Sequence, residues 1–237
     1  MKKKLHRLKE SEYRRILILR TIGNFLILST LFIIAKTFYL PVKEEIRFVW
    51  DSVLQKRYVV GDVGVKKEPE KDPPAGGLAR LFQTNEVEIL TPEDPQFSVV
   101  IPKIGANARI LPNIDAGDEN VYLPALQQGV AHAAGTAFPG EKGHIFLFAH
   151  STDYFWNIGS YNAVFYLLYK LEKGDSVNVF FNGQRYVYKV LNKIVVNPHE
   201  VEYLTRKTNK EFLTLQTCWP PGTTLKRILV FAIRVTE

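Results

Sequence analysis

The pattern of apolar and polar positions begins with a polar, basic segment at residues 1–15, followed by an apolar segment at residues 16–40 that only a few polar residues, such as Arg20 and Lys36, interrupt. Within it, Ile22–Leu40 has 19 residues, and a helix needs about 20 to cross the hydrocarbon core of a bilayer. The run is longer than a signal-peptide core, and no small-residue cleavage site follows it. The pattern predicts an uncleaved transmembrane anchor, with a cleaved signal peptide or a buried core helix as the alternatives.

Residues 41–95 form a connecting region. Apolar residues at helical spacing predict a juxtamembrane helix at Val42–Lys56. Residues 66–77 are charged, rich in proline and end in Gly-Gly, which is typical of an extended linker. Leu78–Leu90 is predicted as a short helix. The linker would hold a folded domain away from the membrane.

Residues 96–237 have the pattern of a β domain, in which short apolar runs are separated by turn residues. Asn182-Gly183 between two such runs is a hairpin signal, and an apolar stripe predicts a helix near Asn162–Leu171. Seven or eight strands with few helices favour a closed β-barrel or a sandwich. The predicted strands are Phe97–Ile101, Ala108–Leu111, His144–Ala149, Ser176–Phe181, Arg185–Val196, Phe212–Thr217 and Ile228–Val235.

The net charge of +7 comes entirely from the start of the chain. Residues 1–40 contain nine Lys or Arg and two acidic residues, whereas residues 41–237 contain 22 of each. The basic segment is therefore a membrane-topology signal, and nucleic acid is excluded as a partner. Positive charge before the anchor predicts a single-pass protein with a cytoplasmic N-terminus and an extracellular β domain.

Cys218, the only cysteine in the chain, ends an alternating run that predicts a strand. A single unpaired cysteine is unusual outside the membrane, so a reactive thiol is one interpretation. A nucleophilic thiolate needs positive charge or a base nearby. His150 follows an apolar strand at its exit, where functional side chains are common, although a lone histidine is more often structural. His144 begins the same strand, roughly 20 Å away, and cannot serve the same thiol.

Arg227 begins the next predicted strand after Cys218. If these strands are antiparallel neighbours with Cys218 opposite Arg227, Gln216 pairs with Leu229 and the thiol and guanidinium share a face. A slip of one residue would send Arg227 to the other face. Arg227 would then be a strand-edge residue that only solvates the rim of the sheet.

Several segments resemble the sortases, the membrane-anchored cysteine transpeptidases of bacterial surfaces. The resemblance covers about Phe97–Val235 and preserves the order of the motifs. It rests on the signature Thr-Leu-Gln-Thr-Cys at residues 214–218, on Arg227 nine residues later, on Phe-Ala-His-Ser at residues 148–151, on the loop at residues 129–143 and on Val-Ile-Pro-Lys-Ile-Gly at residues 100–105.

The resemblance implies an eight-stranded sortase β-barrel and cleavage of a C-terminal sorting motif of the LPXTG kind. Cys218 would form a thioacyl enzyme, His150 would exchange protons with the leaving and incoming amines, and Arg227 would stabilise the oxyanion or position the substrate. Partners would be secreted proteins with sorting signals and an amine acceptor, either a peptidoglycan precursor or a pilin lysine. Thr217 would help to shape the oxyanion site or serve as a buried strand residue, and His132 is interpreted as structural or as lining the site.

Some residues depart from the family pattern. Ala149 precedes the histidine where many relatives have glycine, and Trp219 and Pro220 follow the cysteine, so the sortase class and the sorting motif stay open. Some relatives bind calcium, but the acidic residues Asp115, Asp118 and Glu119 are interpreted as solvated loop residues. Neither a metal nor a cofactor is predicted.

Two other functions compete with this interpretation. An L,D-transpeptidase would have glycine directly before its cysteine and arginine two residues after it, whereas Thr217 and Pro220 occupy those positions. A non-catalytic, membrane-anchored β domain that holds a partner protein would leave Cys218 buried and unreactive.

Overall fold

The structure is a computed structural model, and it describes residues 2–54, 56–61, 87–151 and 164–235. The predicted linker at residues 66–77 lies outside the described residues, as do the first two residues of the helix predicted near residue 162. The chain divides into two compact units, residues 1–43 and residues 44–237.

A single long helix, α1, covers Lys2–Val53, so the predicted anchor and the predicted juxtamembrane helix are one continuous element. Its part from Glu12 to Lys36 is long and apolar enough to cross a membrane. Large apolar side chains in this stretch are exposed, and those of Phe25, Leu28 and Phe32 are more than 60% exposed. This is the surface expected of a membrane-spanning helix rather than of a buried core helix.

Eight strands form a closed barrel in the second unit, which confirms the barrel and excludes the sandwich. Around the barrel the order is β10, β8, β7, β3, β4, β5, β6 and β9, and β9 pairs with β10 to close it. The strands are β3 (Phe97–Ile101), β4 (Ala106–Ile114), β5 (Val130–Ala133), β6 (His144–Phe148), β7 (Ser176–Phe181), β8 (Gln184–Val196), β9 (Phe212–Trp219) and β10 (Lys226–Arg234).

Seven of the barrel strands were predicted, with small differences at their ends, and β5 was missed. Its sequence, Val-Ala-His-Ala, is buried at every position and therefore lacks the alternation of a half-exposed strand. Two further strands, β1 (Arg57–Val60) and β2 (Val87–Leu90), pair in parallel outside the barrel. The helix predicted for Leu78–Leu90 is therefore wrong over its last four residues, and its first nine residues lie outside the described residues.

The α-helix predicted near Asn162–Leu171 is also wrong in type. Residues 164–167 form turns, and only Leu168–Lys170 is helical, as a 3-10 helix. The apolar side chains of this segment pack into the core although it forms no α-helix. Apolar periodicity alone did not distinguish an α-helix from turns followed by a 3-10 helix. Among the described residues of the barrel domain, the α-helix is α2 (Glu119–Leu126), whose N-cap Asp118 accepts a hydrogen bond from the amide of Asn120. That N-cap was the sequence signal for this helix.

Alternation along the strands separates an inner core from an outer one. Of every two successive residues in a strand, one faces the barrel interior, as Leu213, Leu215 and Val230 do. Their neighbours Leu229 and Phe231 belong to a second cluster on the outer face, together with Leu126 of α2. Residues Thr214, Gln216 and Cys218 alternate with the interior positions of β9 and therefore belong to the outer face.

The predicted hairpin turn between β7 and β8 is present at Asn182-Gly183. Both residues have positive φ, at 50° and 76°, as a type I′ turn requires. Asparagine and glycine tolerate this conformation better than other residues. The turn therefore sets the register in which Phe181 pairs with Gln184.

Candidate active site

β9 and β10 bring Cys218 and Arg227 together at one end of the barrel. The two residues are direct partners in the antiparallel ladder, and Gln216 pairs with Leu229. The predicted register is thus confirmed. Because directly opposed residues project from the same face of a sheet, the thiol and the guanidinium share the outer face.

β6 lies on the other side of β9, in parallel, and leads to His150. Phe148 pairs with Gln216, and the amide of Ala149 donates a 3.1 Å hydrogen bond to the Gln216 carbonyl. His150 lies two positions beyond Phe148, the last residue of β6, and Cys218 lies two positions beyond Gln216. A register continued beyond the end of β6 would place these two residues opposite each other, and neighbouring strands are about 4.8 Å apart in a sheet. The ends of β9 and β10 thus carry Cys218 and Arg227, and His150 follows the end of β6, the strand that pairs with β9.

Two opposing effects act on the thiol of Cys218, which is half-buried. Burial raises the pKa of the thiol above its ordinary value, and the positive charge of Arg227 acts in the opposite direction. Burial dominates, so the thiol keeps its proton at neutral pH in the absence of substrate. The Arg227 charge is close enough to lower the pKa of the thiol, and it therefore favours the thiolate.

The loop between β9 and β10 holds the guanidinium of Arg227. Its Nη1 donates hydrogen bonds of 3.1 Å to the carbonyls of Thr224 and Lys226. A turn braces the same loop, since the Thr223 hydroxyl donates to the Pro220 carbonyl at 2.8 Å. These contacts fix the cation beside the thiol. Among the described residues, no carboxylate forms an ion pair with Arg227 that would cancel its charge.

The other histidines of the β domain lie elsewhere. His144 is at the opposite end of β6, where its Nε2 is 2.8 Å from the Thr214 hydroxyl. His132 is fully buried, with its Nε2 3.0 Å from the Ala137 carbonyl, and its ring packs against Phe138. Burial lowers the pKa of both imidazoles. His144 and His132 are therefore structural residues, and His199 is exposed on a loop.

Thr217 connects the two strands that carry the histidine and the cysteine. Its hydroxyl donates a 2.9 Å hydrogen bond to the carbonyl of Ala149, and the residue is buried. The hydroxyl is thus used between β6 and β9, one position before the thiol and on the opposite face. Of the two roles considered for Thr217, the buried strand residue agrees with these contacts.

The acidic residues near α2 serve local turns. Asp118 caps the helix, and the Asp115 carboxylate accepts a hydrogen bond of 2.8 Å from the amide of Gly117. Within the described residues, no three His, Cys, Asp or Glu side chains are grouped in a way that could hold a metal ion.

Trp219 contributes a contact that sequence reasoning missed. Directly after Cys218, it packs against the inner core, and its ring centroid is 5.2 Å from that of Tyr169. The Tyr169 hydroxyl donates to the carboxylate of Glu45 on α1. Glu45, Tyr169 and Trp219 are far apart in sequence, so no spacing pattern predicts their contacts. The only sequence signal was an aromatic residue directly after the cysteine.

Residues 99–235 match the family model of the Sortase domain. The chain belongs to the sortase family. It is 31% identical over 150 residues to Sortase D of Bacillus subtilis (strain 168), a match that covers 61% of this chain and 67% of that relative.

Solved sortase structures have the same fold. Sortase C-1 from Actinomyces oris is 32% identical with a TM-score of 0.50, over 61% of this chain and 76% of that one. Sortase C2 of Pilus Island 1 from Group B Streptococcus is 28% identical, also with a TM-score of 0.50, over 59% and 73% of the two chains. The protein is therefore a sortase-type transpeptidase, a family of cysteine enzymes that act on proteins with sorting signals and on amine acceptors.

Proposed function

We propose that this sortase cleaves an LPXTG-like motif near the C-terminus of secreted proteins and transfers the cleaved protein to an amine. Cys218 is the nucleophile, His150 the general acid and base, and Arg227 the group that stabilises the oxyanion. The acceptor amine belongs to a peptidoglycan precursor or to a pilin lysine.

The observation that carries this proposal is the ladder between β9 and β10. It pairs the chain's only cysteine directly with Arg227, and His150 follows β6, the strand that pairs with β9 on its other side. A non-catalytic β domain has no need to pair a half-buried thiol with a guanidinium that has no carboxylate partner among the described residues. The Thr217 and Pro220 positions around the cysteine also argue against an L,D-transpeptidase.

The reaction follows from these three groups. His150 accepts the proton of the Cys218 thiol as the sulfur attacks the scissile carbonyl and the C–S bond forms, and the Arg227 guanidinium stabilises the negative charge on the carbonyl oxygen. The C–N bond breaks as His150 gives a proton to the leaving amine, which leaves a thioester on Cys218. The acceptor amine then attacks this thioester and loses a proton to His150, and the sulfur departs as the new amide forms.

The resting protonation state has a consequence for the first step. Because burial raises the pKa of Cys218, the attacking thiolate is a minor species at neutral pH. Arg227 increases that fraction, so it serves the nucleophile as well as the oxyanion. A positive charge in a partly desolvated site acts more strongly than in water.

The anchor gives the reaction a location. The basic residues of the first 15 positions favour a cytoplasmic N-terminus, and the helix from Glu12 to Lys36 is of membrane-spanning length. The barrel then works on the extracellular side of the cell membrane, where sorting signals emerge and where wall precursors are exposed.

The test uses the full chain in detergent micelles with a library of sorting-motif peptides and a small amine. Mass spectrometry should find an acyl adduct on Cys218 and a peptide joined to the amine, and Cys218→Ala should give neither. If the folded protein forms no adduct with any peptide, the proposal fails in favour of the binding domain. Transfer with a peptidoglycan peptide in place of a sorting motif would instead favour the L,D-transpeptidase.

A further inference from the structure

The residue after the proposed nucleophile is tied to the helix that follows the membrane-spanning segment. Trp219 alternates with Cys218 along β9, so Cys218 faces outward while the indole packs on the inner core. The indole meets Tyr169 with ring centroids 5.2 Å apart and planes inclined by 51°. Tilted aromatic pairs of this kind add stability beyond the area they bury.

Tyr169 is itself held from two directions. Its carbonyl accepts a hydrogen bond from the Lys193 ammonium of β8, and its hydroxyl donates to Glu45 of α1. Burial, with the Glu45 hydrogen bond as the next cause, raises the pKa of Tyr169, so the hydroxyl remains a donor at neutral pH. Hydrogen bonds to a charged acceptor are among the stronger ones in proteins.

Glu45 makes a second contact that fixes its carboxylate. Its Oε2 is 3.2 Å from Nζ of Lys170, and that ammonium also lies over the rings of Phe48 and Tyr169, at 5.1 Å and 4.8 Å from their centroids. Glu45 and Phe48 therefore hold α1 against Tyr169 and Lys170, next to the strand end that carries the thiol. Both of these partners of the Glu45 carboxylate, Tyr169 and Lys170, are therefore adjacent residues of one short segment.

We propose that Glu45 and Tyr169 are positioning residues that act through Trp219 to hold Cys218 in its productive place. When the Glu45 carboxylate or the Tyr169 hydroxyl is removed, Tyr169 loses its attachment to α1, and Trp219 loses its fixed neighbour. The end of β9 then moves more freely, which displaces the sulfur from Arg227 and His150. Small displacements of a reacting group slow a reaction that depends on orientation. This inference rests on the proposed role of Cys218.

The experiment compares Glu45→Gln, Tyr169→Phe and the double variant in the full chain in detergent micelles. Two control variants remove similar groups elsewhere: Glu172→Gln, whose carboxylate pairs with Lys103 at 2.9 Å, and Tyr186→Phe, whose hydroxyl bonds to Gln184. The readouts are the single-turnover rate of adduct formation per titratable thiol and the peptide concentration that gives half of the maximal rate.

We expect the rate per thiol to fall about three- to tenfold in both single variants, with the half-saturating peptide concentration unchanged. The double variant should be no slower than either single one, because both changes break the same connection. Rates within twofold of the controls, or losses that multiply in the double variant, would overturn the proposal. So would fewer titratable thiols with a normal rate per thiol, which is the result of a merely structural role.

A second readout keeps the inference separate from the proposed function. Alkylation of Cys218 by iodoacetamide at a fixed pH needs no peptide, and a loosened strand end should expose the half-buried thiol and speed alkylation at least threefold in the Glu45 and Tyr169 variants only. Alkylation rates equal to the controls would contradict the inference. If wild-type protein formed no adduct with any peptide, the proposed function would fail, and this alkylation result would still decide whether α1 controls the position of Cys218.

Discussion

At Cys218, desolvation and the charge of Arg227 act on the same proton in opposite directions. Burial is the stronger effect and raises the pKa of the thiol, while the guanidinium across the ladder lowers it. The thiol is therefore protonated at neutral pH. The Arg227 cation lies beside it and favours the thiolate that the proposed reaction needs. In the proposed reaction Arg227 also stabilises charge that develops on a substrate oxygen, because it shares a face with the sulfur.

Replacing Arg227 tests both parts of this role. Arg227→Ala should slow adduct formation by about 10²–10³-fold, the usual cost of losing an oxyanion donor. It should also raise the pKa of Cys218 further, so iodoacetamide alkylation followed against pH should have its midpoint at higher pH than in the wild-type protein. Arg227→Lys keeps the charge and should lose less of both.

Lys226→Ala provides the matched control for Arg227, because it removes a neighbouring cation that is exposed and alternates to the other face of β10. Its adduct rate and its alkylation profile should match those of the wild-type protein. Equal effects of the two substitutions would mean that general surface charge, and not the position of Arg227, affects the thiol.

Among the elements, the β4–β5 pair is packed unusually closely. β5 runs parallel to β4 after α2 returns the chain, and Gly129 precedes its first residue. A Cβ at Gly129 would lie 2.5 Å from the carbonyl oxygen of Arg109 on β4, closer than real Cβ atoms approach a backbone atom. The absence of a side chain at Gly129 is therefore what allows β5, and the β6 strand that follows, to enter the barrel.

Two alanine substitutions distinguish the cost of a steric clash at Gly129 from the cost of backbone strain at Gly183. Gly183→Ala places a Cβ in open space at a φ of 76°, so its cost is conformational, about 1 kcal/mol. Gly129→Ala must displace backbone and should cost about 1–3 kcal/mol or more. Urea unfolding of both variants should give this order, and a Gly129 variant that is as stable as the Gly183 variant would contradict it.

For the molecule as a whole, two buried imidazoles connect folding to pH. Burial, together with the nearby charge of Arg206, lowers the pKa of His144 to about 4, and burial also lowers that of His132. The unfolded chain binds a proton on each imidazole at higher pH than the folded barrel does. Stability from these groups is thus complete above the ordinary histidine pKa of about 6.5 and is lost as the pH falls from there towards 4.

The contribution of His144 should be visible as a difference between variants. Its shift corresponds to about 3 kcal/mol of unfolding free energy lost at low pH, as an order of magnitude. His144→Gln should therefore lose less stability than the wild-type protein when urea unfolding is compared at pH 7 and pH 4.5. His199→Gln, at an exposed position, should keep the full wild-type difference, and an unchanged difference in His144→Gln would refute the assignment.

Local features of the sequence were enough for most of the strands and for the pairing of the proposed nucleophile. Alternation and turn residues predicted seven barrel strands, and the Asn182-Gly183 turn and the register of Cys218 with Arg227 are as predicted. These features depend on residues close in the chain, whose φ preferences and apolar spacing act without distant partners. The apolar segment ending at Leu40 and the charge around it predicted the anchor for the same reason.

The remaining features depend on contacts between distant segments. The closure of the barrel, the buried β5 strand and the 3-10 helix at Leu168–Lys170 are decided by packing, which overrides local periodicity. The parallel pairing of β6 with β9 joins the strand before His150 to the strand that carries Cys218, and the contact of Glu45 with Tyr169 joins residues 124 positions apart. The sequence by itself determined which residue types are available for chemistry and most of the strands that carry them. The tertiary structure decided which of them meet, because strand order and side-chain packing arise only when the whole chain closes around one core.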